Sequence, residues 1–319
     1  MITQSGNRAT PRLDLGAALM EYFDNAQDFI GLRVYPMFES KEKAAYFPAI
    51  TRESIARRAE VKRAANGKYN RDGYETRDLQ FSCYEYGLEA PVDDAKKSLY
   101  KSDFDAELVA TQIIGRRLQL EHEIRVKTSV IDTATFTGAD LYKDNAAAPW
   151  TTAGSDVRSQ VNEAKEKIRV NSGLSPNSMI MSQGNLDALK SNTAILDAIK
   201  YTARLTDAEI VNALADYFGI QNILIGKATY NSAKEGKAFA GGYVWPDTYV
   251  SLAILSGDTS KSLTDPALGR TVLWTADSPE ANLVETYRDE SVRGDVVRVR
   301  QNVDELLIDK YFGFLMKVR

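Results

Sequence analysis

The sequence predicts an α+β fold, and three observations carry that prediction. A run without proline from Asp103 to about Ile131 reads as one long helix. From Trp150 onward, helical and strand-like segments alternate. Apolar residues recur at every second position at Leu79, Phe81 and Cys83, and again at Val297 and Val299. No internal repeat or low-complexity tract breaks the pattern.

Leu15, Leu19, Tyr22, Phe23, Ala26, Phe29 and Ile30 are spaced by threes and fours, which predicts an amphipathic helix over 14–30. Pro36 and Pro48 then favour extended edges and turns, so 34–50 reads as arm and strand. Residues 51–77 carry eight basic residues against four acids and two turn dipeptides, Asn66-Gly67 and Asp72-Gly73. With the strand at 79–84 they predict a long, polar, two-stranded excursion, which is marginal alone and must rest on something else. Ser102 with Asp105 resembles a capping box for the long helix, whose apolar face is read as Val109, Ile113, Leu120 and Ile124.

Ser155 is the expected cap of a helix through Val157, Val161, Ala164 and Ile168 that stops before Gly173. A short strand at Met179–Met181 and two short helices follow. Thr206 and Glu209 form a second capping-box pattern, for a helix ending at Gly219. Strands are expected at Ile223–Ile225, Gly241–Trp245, Tyr249–Leu255 and Thr271–Trp274, and one or two long strands complete the chain from Asp295.

At 319 residues with 44% hydrophobic content, the chain can fill one large core or two ordinary ones. No apolar run is long enough to span a bilayer, and the first residues lack the layout of a signal peptide; a cytoplasmic site of synthesis and assembly is expected. One cysteine, Cys83, excludes an intramolecular disulfide, and one histidine, His122, excludes a Cys/His zinc site. The balance of 40 basic and 44 acidic residues, net −4, argues against a protein made chiefly to hold phosphate backbones, although weak local contact is compatible with it.

Catalytic motifs fail on inspection. The Gly226-Lys227-Ala228 triplet has six residues rather than four between Gly219 and Gly226, and it lacks the hydroxyl of a phosphate loop. His122, among Glu121, Glu123 and Arg125, reads as a polar-face histidine, and no GxSxG occurs. Asp93 with Asp94, and Asp103 with Asp105, match no calcium loop and read as complements to helix dipoles. No catalytic, cofactor or metal residue is expected. The strongest charge bias is the stretch Arg57, Arg58, Lys62, Arg63, Lys68 and Arg71, which reads as a solvated face or a contact with an acidic neighbour.

Three segments, SGLSPNSMIMSQGNLDALKSN (172–192), LADYFGIQNILIGKATYNSAKEG (214–236) and YRDESVRGDVVRVRQNVDELLIDKYFGF (287–314), resemble stretches of HK97-type major capsid proteins of tailed double-stranded DNA phages. The resemblance covers nearly the whole chain in order. It implies an N-terminal arm (1–45), an extended E-loop (46–88), a P-domain with a spine helix (89–149 and 288–319) and an A-domain (150–287). It also implies a structural protein rather than an enzyme, assembling into hexamers and pentamers of an icosahedral shell around DNA. An encapsulin-like compartment holding a cargo enzyme is the alternative on the same fold.

On this resemblance the E-loop cations are expected to meet a neighbour, with Asp103, Asp105 and Glu107 of its spine helix as candidate partners. An arm helix starting near residue 14 implies a separate scaffolding protein or none; a portal and a decoration protein are further expected partners. Some relatives join an E-loop lysine to an asparagine of the next subunit. Here Lys62 and Lys68 are available, but the asparagine's place falls near Val299, with Asn302 three residues on, so no such cross-link is expected.

Overall fold

The computed structural model describes residues 9–25, 28–63, 65, 67–100, 105–199, 207–234, 236–256, 265–277 and 281–319. The arm begins with β1 (Thr10–Pro11) and α1 (Leu13–Asn25), then α2 (Gly31–Val34) and β2 (Met37–Ser40). The helix expected over 14–30 ends at Asn25, and α2 begins beyond that range. The backbone N–H groups of Ile30 and Gly31 donate to the Glu123 carboxylate at 3.0 and 2.5 Å, the acceptor a continuous helix would have supplied from its own turn.

The excursion is β3 (Ala44–Ile50) antiparallel to β4 (Thr76–Ser82), with α3 (Arg52–Ala56) capped by Thr51 between them. These strands stop well short of the expected turns. Gly73 bonds to the Asp72 carboxylate in irregular chain, and Asn66 lies outside the described residues. The root of the hairpin is apolar: Phe47, Ala49, Phe81 and Cys83 pack against Val272 and Ile308 of the body.

Next come β5 (Tyr84–Asp93), α4 (Asp94–Tyr100) and the spine helix α5 (Ala106–Val130), which at about 1.5 Å per residue runs roughly 37 Å. Its cap is Asp105, accepting from the N–H of Glu107 at 3.0 Å and of Leu108 at 3.4 Å; Ser102 lies outside the described residues. The buried face matches the expected one at Leu120 and Ile124, partly buried against the larger core, but not at Val109 and Ile113. Ile114, Gly115, Leu118, His122, Val126 and Val130 point inward, while Ile113 is 49% exposed. Gly115 is needed because Leu19 of α1 lies across it: a Cβ there would sit 2.5 Å from the leucine Cδ1.

The rest of the chain forms β6 (Tyr142–Asp144), α6 (Val157–Ser172), β7 (Ser178–Ser182), α7 (Gln183–Ser191), α8 (Thr193–Ile199), α9 (Asp207–Phe218) and β8 (Asn222–Gly226). There follow β9 (Thr229–Asn231), β10 (Gly241–Tyr243), β11 (Tyr249–Ala253), β12 (Gly269–Trp274), β13 (Leu283–Asp289), β14 (Gly294–Leu307) and β15 (Gly313–Lys317). Asp156 rather than Ser155 caps α6, accepting from Ser159, while Ser155 binds the buried Asn192 amide. Thr206 lies outside the described residues.

Two sheets organise the molecule. One runs β6-β15-β11-β7-β8 and holds the larger core with α6. The other runs β1-β13-β14-β12-β2, with β5 also paired to β14 and the spine helix across it. The sheets cut across the linear division. β15, within 288–319, hydrogen-bonds between β11 and β6, and β12, within 150–287, pairs with β14.

Candidate assembly surfaces

The E-loop tip, 57–75, brings the basic residues together. Arg58, Lys62, Lys68 and Arg71 are exposed and make no ion pair among the described residues. Arg57 reaches Asp72 at 3.8 Å, while Arg63 stacks on Tyr69 at 4.6 Å and donates to the Gly67 carbonyl. Among the described residues, the hydrogen bonds of this tip close within the loop, such as Asn70 to the Glu60 carbonyl. Val61 is 90% exposed, and Tyr69 and Tyr74 are each 76% exposed, so the tip offers apolar as well as cationic surface.

The root is held differently. Arg52 lies over the Tyr311 ring at 3.6 Å, and Arg77 donates to the Ile308 carbonyl at 2.5 Å. The loop thus leaves the body from a fixed base.

The spine-helix acids are already engaged in their own chain. Asp105 is the cap; Glu107 is buried and bonds Arg12 at 3.1 Å and Lys97, which also reaches Asp295 at 3.1 Å. Asp103 lies outside the described residues. Nearby, Arg288 forks onto Asp94 at 2.6 and 2.7 Å and holds its carboxyl below the usual carboxylate range.

A buried polar junction ties the arm and the spine helix to the β14 sheet and to the segment after β10, and the sequence reading missed it. Besides the two arm amides, Glu123 accepts from the Trp245 indole at 2.5 Å. His122 is buried too, not on the polar face: its Nε2 lies 3.2 Å from the Thr271 hydroxyl, which bonds the Tyr35 carbonyl. Burial lowers the His122 pKa to about 3, with the nearby Arg125 charge adding to the effect. Arg125 forms a fork with Glu305 at 2.9 and 3.0 Å and stacks on Tyr86 at 3.8 Å. Burial pushes the Glu123 carboxyl up, against the three donors that favour its charged form.

Among the described residues no group of three or more His, Cys, Asp and Glu could hold a metal ion, and no helix is long and apolar enough to cross a membrane. Gly226 serves packing: a Cβ there would lie 2.1 Å from the Trp245 ring. Burial raises the Cys83 thiol to about 11, away from the nucleophilic range.

No model of a known protein family matches the sequence. The major capsid protein of Burkholderia phage BcepMu is 28% identical over 214 residues, covering 67% of this chain and 68% of that one. A phage-related protein of Bordetella bronchiseptica RB50 superposes with a TM-score of 0.72, at 22% identity, over 97% of this chain and 98% of that one. The cyanophage P-SCSP1u capsid gives a TM-score of 0.56 at 12% identity, covering 99% and 92%. An arm, a hairpin, a spine helix and two sheets connected in this way are the HK97-type coat fold. In sequence, the chain is similar over two thirds of its length to a phage major capsid protein.

Proposed function

We propose that this chain is the major coat subunit of a tailed-phage head, assembling through hexamers and pentamers into an icosahedral shell around packaged double-stranded DNA. The observation that carries the reading is the E-loop tip. It presents cations and the exposed side chains of Val61, Tyr69 and Tyr74, yet its hydrogen bonds close on themselves. Such a segment gains burial from a neighbouring copy, and obligate contacts of this kind typically exceed about 2,000 Å².

The divisions 1–45, 46–88, 89–149 with 288–319, and 150–287 serve on this reading as arm, E-loop, P-domain and A-domain. Arg57, Arg58, Lys62, Arg63, Lys68 and Arg71 meet carboxylates of an adjacent subunit. Asp105 and Glu107 are the weaker candidates for that role because each already has a partner in its own chain. Assembly takes place in the host cytoplasm, with a scaffolding protein, a portal and a decoration protein as partners, and the DNA is held by weak, non-specific contact.

The alternative, a cargo compartment, is separated by what purified particles contain. Nuclease-resistant DNA of defined length supports the head; a stoichiometric protein cargo without DNA contradicts it.

A further inference from the structure

A groove of about 620 Å³ runs between the arm, the spine helix, the start of β13 and strand β8, within the ~300–1,000 Å³ range of ligand sites. Its apolar lining includes Met20 and Phe23 of α1 and Ile223 and Ile225 of β8. Arg33 and Lys227 also line it, both exposed; among the described residues neither is in an ion pair and no carboxylate lines the groove. Two side-chain amides line it with one atom each unpartnered: the Gln301 Nε2 donor, on a residue 4% exposed, and the Gln119 Oε1 acceptor.

These features select among occupants. An acyl chain would leave both amide atoms dry, at about 1–3 kcal/mol each. A nucleic acid would set its phosphates against a mostly apolar wall. A peptide unit supplies both complements, a carbonyl for Gln301 and an N–H for Gln119. β8 is moreover the edge strand of its sheet, and Ile223 and Ile225 alternate along it into the groove, so the seat suits an extended chain. The two free cations select acids on that chain.

We propose that this groove docks an extended, acidic peptide segment of a separate protein, with apolar side chains between α1 and β8 and carboxylates on Arg33 and Lys227. The proposal stands whatever the shell contains. On the coat-subunit reading the partner is an assembly factor.

The test uses the full chain, kept unassembled, and a fluorescein-labelled six-residue peptide alternating leucine with aspartate, beside its leucine–lysine counterpart. The aspartate peptide is expected to bind at least about tenfold more tightly, the equivalent of about 1.4 kcal/mol, and to weaken with salt. Arg33→Glu with Lys227→Glu, both at exposed positions, should reverse the preference. Met20→Trp, at a side chain 44% exposed, should block both peptides while leaving the unfolding midpoint unchanged. Equal binding of the two peptides, no saturable binding of the aspartate peptide, or an unchanged preference in the double variant would overturn the proposal. So would a change in self-association caused by Met20→Trp without any peptide, which would make the occupant a second copy.

Discussion

Glu123 is where the chain concentrates its buried polarity. Removing its carboxylate by Glu123→Ala leaves three donors, on Ile30, Gly31 and Trp245, buried without an acceptor. The expected loss is about 3–5 kcal/mol in urea unfolding of the unassembled subunit, since each buried donor left without an acceptor costs about 1–3 kcal/mol. A loss below about 1 kcal/mol would mean that water or another group takes over the donors. His122 gives a pH prediction. Its folded pKa of about 3 lies below the ordinary 6.5, so the unfolded chain takes the proton first. Stability is full above 6.5 and falls as the pH drops, by about 2 kcal/mol between pH 7.5 and 5. Glu123, with its folded pKa raised, titrates in the opposite sense, its contribution being full below 4.5 and lost as the pH rises. His122→Gln should therefore be compared with the parent at both pH values. An identical pH slope in the two proteins would contradict the assignment. Neither residue's setting is obvious from its neighbours in sequence, because adjacent positions on a helix point about 100° apart. The legible signal was Leu118 and Val126, four residues to either side of His122 on the buried face.

At the scale of elements, the spine helix, the β3–β4 hairpin and the alternating helices and strands after Trp150 were readable because each has a strong period or a clear stop. Gly173, with φ of 74°, ends α6 where its position promised. Boundaries set by distant partners were not readable. α1 ends at Asn25 and the chain restarts as α2 at Gly31, where Glu123, far along the chain, takes the arm's amides. The face read for the spine helix holds at Leu120 and Ile124, which pack against the larger core, and fails at Val109 and Ile113 for a related reason: they are apolar but look outward, on a surface the described chain does not cover. Two predictions belong here. Asp105→Ala should cost about 1 kcal/mol of subunit stability, the usual worth of a cap. Reversing Arg57, Arg58, Lys62 and Arg63 to Glu should leave the unfolding midpoint within about 0.5 kcal/mol of the parent, since these side chains reach nothing in the body, while suppressing assembly. Assembly equal to the parent's at both low and high salt would show that the tip charges meet no neighbour.

For the whole molecule, the candidate assembly surface was legible as a bias of charge, whereas its geometry had to come from the fold. The tip stands on a base fixed by Arg52 on Tyr311 and Arg77 on Ile308, none of which the sequence pattern singled out. The return strand bears on the expectation of no covalent joining. Val299 is fully buried, and Asn302 is 1% exposed with its amide on Asp277 at 2.7 Å, so neither position offers an asparagine to a neighbour's Lys62 or Lys68. Particles boiled in denaturing detergent should run as one band at the subunit mass of 35.4 kDa, and a ladder of multimers would contradict that expectation. The central claim, that this subunit builds a shell, is tested most directly by electron microscopy of the purified protein concentrated alone and with a candidate scaffolding protein. The account predicts closed particles with sixfold and fivefold capsomers; a folded, monodisperse monomer that forms no shell under either condition would contradict it.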